Sequence, residues 1–166
     1  MTDQTRATTV EERLRAIEDR LEIYNVVSAY GPAVDSLNVE GNAVLWAEDG
    51  VYQVDGLGDY EGHDGLKAMI DGDFHQNVVR NGSGHILSLP HVLIDRDKAV
   101  ATNYGTLFSG EGGEFKLVRL IASRWYLSRR GASWVIDRRT NFLLDGRQAG
   151  RDLLARAAEG PSKETT

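Results

Sequence analysis

The sequence predicts an α+β fold in which a strongly curved antiparallel sheet wraps an N-terminal helix. Three observations lead there. Apolar residues recur every three or four positions from Val10 to about Tyr30, the period of an amphipathic helix. After residue 50 the pattern alternates, and long β-rich runs separated by turn residues fill 84–144. Pro90 falls inside one of those runs, where it calls for a bulge or bend that would curve the sheet. Helices first and strands later, with few alternations, is the α+β order.

The first helix starts at Thr9, an N-cap with Glu12 three residues on. Leu14, Ile17, Leu21, Tyr24 and Val27 mark its apolar face, and "GP" at 31–32 is expected to end it near Tyr30. A second helix is predicted over Val39 to Trp46. "GVYQVDG" and "GLGDYEG" then read as a β-hairpin. "HDGLKAMIDGDFHQNVV" reads as one helix with Leu66, Met69, Ile70 and Phe74 on its apolar face. Four long strands are predicted at 84–95, 98–109, 114–129 and 133–144, joined by "DRDK", "GEGG" and "RRGA". "GRQAGRDLLARAAEG" closes the chain as a helix. The expected organisation is a flexible segment over 1–9, a single domain over 10–158 and a tail over 159–166.

The chain has 166 residues, enough for one domain with a real core, and its formal net charge is −6. That charge and the lack of a basic stripe exclude a nucleic-acid interface. There is no cysteine, which removes disulfides and thiol catalysis. The N-terminus has no apolar leader and no stretch suits a membrane span, so a soluble, cytoplasmic protein is expected. "GLGDYEG" opens no βαβ unit, which rules out a dinucleotide fingerprint, and neither a Walker loop nor a Gly-x-Ser-x-Gly elbow occurs.

Four places invite chemistry. Asp35 follows the first helix, where the helix dipole disfavours a carboxylate; spacing alone leaves it either a base or a loop-entry or capping residue. His85 opens the first long strand, with Leu87 and, if Pro90 adds no bulge, His91 on its face. It is either a hydrogen-bonded core histidine or, with a carboxylate beside it, a general base. Tyr30 is either a core tyrosine or a phenol donor. Of Arg138 and Arg139, adjacent in a strand, only one can face a cavity; either can serve a salt bridge instead. His85 and His91 lack a third ligand, so no metal is expected.

These residues carry a resemblance. "AIEDRLEIYNVVSAYGPAVDSLNVEGNAVLWAEDGVYQVDGLGDYEGHDGL", with "GHILSLPHVLID" and "WVIDRRTNF" after it, resembles the SnoaL-like branch of the nuclear transport factor 2-like, or cystatin-like α+β barrel, superfamily over residues 10–145. Relatives there include hexachlorocyclohexane dehydrochlorinase, scytalone dehydratase and bile-acid 7α-dehydratase. The resemblance implies that Asp35 and His85 act as a proton-abstracting pair, and that Arg139 assists the leaving group. The dehydrochlorinase has a lysine where this chain has Tyr30, whereas the dehydratases carry a tyrosine nearby, which favours an oxygen-containing substrate. The implied activity is a lyase without cofactor, a dehydratase acting on an apolar carbonyl compound (a steroid, terpenoid or polyketide). An isomerase or cyclase using the same base, and a non-catalytic binding module, are the alternatives. Tyr52, Leu87, His91, Asn103, Trp125 and Phe142 are expected to contact substrate. No acid for the leaving group stands out on the strand carrying Asn103 and Tyr104. A homo-oligomer is implied, a trimer favoured over a dimer, with Arg119, Arg124, Trp125 and Tyr126 as candidate contacts.

Overall fold

The computed structural model describes residues 9–161, so residues 1–8 of the expected flexible segment and 162–166 of the expected tail lie outside the described residues. Helix α1 spans Val10–Asp35 and begins with the expected capping box: the Glu12 N–H donates to Thr9 Oγ1 at 3.1 Å and the Thr9 N–H to Glu12 Oε2 at 2.9 Å. The face the periodicity marked is buried only in the second half of the helix, at Val27 and in part Tyr24. Leu14, Ile17 and Leu21 are exposed, while Ile23, Val26, Val27, Tyr30, Ala33 and Val34 are buried. Two polar residues face the sheet instead. Asp19 accepts from Arg129 Nη2 (2.6 Å) and Trp134 Nε1 (3.2 Å), and Glu22 from the Trp134 N–H (2.8 Å).

The helix also runs past "GP" to Asp35, with Pro32 inside it. Proline there loses only one N–H, and the usual clash between a proline ring and the preceding Cβ does not arise after Gly31. Gly31 has a second role. A Cβ on it would stand 2.4 Å from the His85 carbonyl oxygen, so the helix and the strand carrying His85 approach as only glycine permits.

Helix α2 is shorter than expected, Val39–Ala43, capped by Asn38 Oδ1, which accepts from the Gly41 N–H. Trp46 belongs to strand β1 (Trp46–Val54), where its buried indole donates to Asn42 Oδ1. β2 (Gly58–Glu61) completes the hairpin. The single predicted helix after it is two, α3 (Gly62–Asp71) and α4 (Asp73–Arg80), because Gly72 adopts an extended conformation with ψ 147°. Leu66 and Ile70 stay buried, but the break leaves Phe74 half exposed and puts His75 and Val78 inside.

The predicted 84–95 strand is likewise two, β3 (Ser83–Leu87) and β4 (His91–Asp95), divided at Ser88–Pro90 and both paired to β5 (Lys98–Glu111). β6 (Glu114–Arg130) and β7 (Ser133–Leu143) follow. The sheet order is β2-β1-β7-β6-β5-β3, with β4 also on β5. The sheet is not closed, its ends being β2 and β3, and it is mixed, since β1 runs parallel to β7. A parallel pair needs a long crossover, and everything from β2 to β6 supplies it.

The core fills the concave side with Trp46, Trp125, Trp134, Leu127 and Ile136 against α1. Helix α5 (Gln148–Ala155) and a 3-10 turn (Arg156–Ala158) lie over the other face. Fully buried Arg124 binds them there, donating to the carbonyls of Arg156 and Glu159, each at 2.8 Å, and to Thr102 Oγ1. Arg124 and Trp125, expected as contacts between subunits, are therefore interior residues of this chain. Among the described residues no helix is long and apolar enough to cross a membrane.

Candidate active site

A cavity of about 280 Å³ opens between the concave sheet and helices α1, α3 and α4. Tyr52, Val54, His85, Leu87, Leu107, Arg119, Ile121, Arg139 and Asn141 line its sheet side, and Tyr30, Met69, Phe74 and His75 its helical side.

Asp35 and His85 meet where α1 ends against β3. Asp35 Oδ1 lies 2.7 Å from His85 Nδ1 and accepts from Ser83 Oγ at 2.6 Å, while Oδ2 accepts the His85 backbone N–H at 2.7 Å. These three donors answer the unfavourable dipole at the helix C-terminus. Burial works to raise the Asp35 pKa, but the bonds from the His85 ring, the His85 N–H and Ser83 together outweigh it and hold the carboxyl at about 2. An ionised Asp35 can only accept, so Nδ1 carries the hydrogen of a neutral His85 ring and Nε2 keeps its lone pair.

Tyr30 is 3% exposed, and its ring stands perpendicular to that of His85, 6.2 Å between centroids. Burial first, then the neighbouring Tyr52, push its pKa well above the usual phenol value, against a smaller opposing effect of Arg139. It is a phenol at neutral pH and so a hydrogen-bond donor. Tyr52 accepts from Asn141 Nδ2 at 2.7 Å, which turns its own proton elsewhere.

Arg139, rather than Arg138, faces inward. Its guanidinium carbon lies 4.0, 4.3 and 4.7 Å from the ring centroids of Trp125, Tyr30 and Tyr52. Nη2 donates to Ser123 Oγ at 3.2 Å, while Nε and Nη1 have no hydrogen-bond partner among the described residues, although the residue is 1% exposed. Arg139 has no carboxylate partner among the described residues.

Four expected contact residues do not line the cavity. Continuing the β3 register would place His91 opposite Ala101 on the concave side. The break at Ser88–Pro90 slips the register by one, so His91 pairs with Thr102 on the opposite face, near the Ala157 carbonyl. Phe142, adjacent to inward Asn141, also falls on that face, against a second groove with Arg138 and Tyr126. Asn103 and Trp125 point inward but lie beneath the cavity. Asn103 Nδ2 donates to the Ser88 carbonyl, and its Oδ1 accepts from Trp125 Nε1.

Sequence reasoning missed His75, Asn141 and the inward turn of Arg119. His75 Nε2 lies 2.9 Å from the Val34 carbonyl, which only accepts, so the neutral ring leaves Nδ1 as an acceptor. Burial lowers its pKa despite that bond, and its centroid is 5.7 Å from that of His85. The glycine at 72 was the available signal: breaking the helix there would have released His75 from the polar face. Asn141 shares the two-residue alternation of Arg139 on β7 and was legible from it.

A model of the SnoaL-like domain matches residues 15–140. No curated protein matches the chain. Among solved structures, an NTF2-like protein with a cystatin-like fold from Novosphingobium aromaticivorans is 38% identical, with a TM-score of 0.85 over 93% of this chain and 98% of its own. A hexachlorocyclohexane dehydrochlorinase from Novosphingobium barchaimii is 18% identical (TM-score 0.70; 80% and 90% covered). A candidate dehydratase of the NTF2-like family from Streptomyces avermitilis is 15% identical (TM-score 0.64; 77% and 98% covered). The last two likenesses speak to the fold alone.

Proposed function

The chain belongs to the SnoaL-like domain family, and from that premise we propose that it is a cofactor-independent lyase, a dehydratase of a small, largely apolar carbonyl compound. The observation that carries this reading is the 2.7 Å contact between Asp35 Oδ1 and His85 Nδ1 at the wall of an apolar cavity. A pocket that only binds has no use for an imidazole held in one tautomer by an ionised carboxylate.

In the proposed reaction His85 Nε2 takes a proton from the carbon next to the carbonyl, and Asp35 stabilises the imidazolium. Tyr30 donates to the carbonyl oxygen, and Arg139 stabilises the negative charge that develops there. The carbon–oxygen bond to the β-hydroxyl then breaks as a double bond forms. The hydroxyl leaves with the proton from the imidazolium, so one water is lost and His85 is restored. The cavity is at the small end for ligand sites, which favours a compact substrate over a steroid.

Incubation with a panel of β-hydroxy carbonyl compounds, read by mass spectrometry, tests this. Products lighter by one water support dehydration. Product of unchanged mass would show that the same base serves an isomerase, and no turnover across the panel by a folded protein would leave a binding module.

A further inference from the structure

We propose that the substrate carries a fixed anion, a carboxylate, and that Arg119 receives it two strands across the concave face from His85. On β6 Arg119 pairs with Leu107 of β5, which pairs in turn with His85 of β3. The three share one row of the concave face, so His85 and Arg119 stand about 10 Å apart at the backbone. Leu107 and Ile121 make the surface around them apolar.

Arg119 is held but not neutralised. Its Nη2 donates to the Asp55 backbone carbonyl at 2.7 Å, which pins the guanidinium at the cavity wall. The Asp55 carboxylate is already taken by the Leu143 N–H at 3.0 Å and by Arg147 Nη2 at 2.5 Å. Asp55 does feel the Arg119 charge, as the weakest of the influences on its pKa, behind the Leu143 bond and Arg147. No carboxylate among the described residues forms an ion pair with Arg119. Asp73, exposed at the start of α4, is the one carboxylate among the lining residues, against the two guanidiniums of Arg119 and Arg139. Arg139 is wrapped by three rings beside the proposed reacting centre, whereas Arg119 stands off from it, suited to a charge that does not change during the reaction. The apolar row between them sets the substrate class: a hydrophobic body with a reacting carbonyl at one end and a carboxylate at the other.

This rests on the proposed function only for which end reacts; the anion site can be tested without turnover. The probes are 4-phenylbutanoate and its neutral primary amide, titrated by calorimetry into the wild type, Arg119→Gln, Arg139→Gln and His85→Ala. The acid should bind the wild type at least ~10-fold tighter than the amide, as expected for a charge-assisted bond to guanidinium. Arg119→Gln should erase that preference while His85→Ala keeps it. A circular dichroism melt shows that each variant is folded. Equal binding of acid and amide by the wild type, no binding of the acid at millimolar concentration, or a preference that survives Arg119→Gln and disappears only in Arg139→Gln would each overturn the assignment. A wild-type preference lost in Arg119→Gln, together with no activity on any β-hydroxy carbonyl compound, would uphold the anion site and remove the dehydratase.

Discussion

Asp35 grips His85 twice, through the ring Nδ1 and through the backbone N–H, each at 2.7 Å. The carboxylate thus fixes the tautomer of the imidazole and also the position of the strand that carries it. Asp35→Asn separates the two roles. The amide can still accept the backbone N–H, but it offers an uncharged partner to the ring and cannot stabilise an imidazolium. Turnover should fall by about 10²–10⁴, and His85→Ala should fall by a similar factor. Steady-state rates on any substrate the panel identifies, alongside thermal melts, check this; near-normal turnover in both variants would end the proposed mechanism.

The Asp35 carboxyl also makes stability depend on pH. Its pKa in the folded protein, about 2, lies below its ordinary value of 3.8. A depressed carboxyl contributes stability that is present above the unfolded pKa and is lost as pH falls through the folded one, so the window is pH 4 to 2. Discounted for a partly exposed group, the contribution is about 1–2 kcal/mol. Urea denaturation at pH 7, 4 and 2.5 should show wild type losing most of this increment relative to Asp35→Asn, whose profile is flatter over that window.

Some of this was legible in the sequence for definite reasons. Thr9 and Glu12 state their cap locally, and the strands announce themselves by alternation. Arg139 could be placed on one face or the other by parity alone. What failed depended on partners distant in the chain. Asp19 and Glu22 look like solvent residues until Trp134 and Arg129 of the β6–β7 hairpin arrive to bond them. His91 was read by carrying parity across Pro90, where a one-residue slip reverses every face. Arg124 could not be read as interior without knowing that the C-terminal segment folds over it.

Gly31 is the residue that lets α1 and β3 touch. Gly31→Ala would gain up to ~1 kcal/mol of helix propensity, but its Cβ would meet the His85 carbonyl oxygen at 2.4 Å, which is backbone and cannot swing away. The strand must move, so net destabilisation of about 1–3 kcal/mol is expected, with His85 displaced and turnover reduced. Urea titration and steady-state kinetics on the same preparation would reveal it; a more stable, fully active variant would contradict the close approach.

Tyr30→Phe tests the phenol apart from the ring. The ring packs edge-on against Tyr52 and Trp125, at 5.9 and 5.8 Å, and phenylalanine keeps that packing. Stability should change by less than about 1 kcal/mol. If the hydroxyl donates to the substrate carbonyl, kcat should drop by about 10²-fold, the scale of losing one donor to a developing oxyanion. A melt unchanged and a kcat unchanged together would reduce Tyr30 to packing.

Arg139 offers the sharpest contrast between stability and function. Among the described residues its buried charge has no carboxylate partner and two of its nitrogens have no hydrogen bond, while three rings supply most of its surroundings. Replacing a buried charged group with an apolar one of similar volume is often neutral or stabilising, so Arg139→Met should hold or raise the melting temperature. The same change removes the cation beside the proposed oxyanion, and turnover should fall by 10²-fold or more, to about the level of a lost oxyanion donor. Arg139→Lys should not rescue it, because an ammonium is compact and strongly hydrated and cannot spread its charge across three aromatic faces as a planar guanidinium does. Melting curves and kinetics of the two variants decide the matter. A loss of stability in Arg139→Met as large as its loss of activity would mean that the arginine holds the cavity together rather than serving the reaction within it.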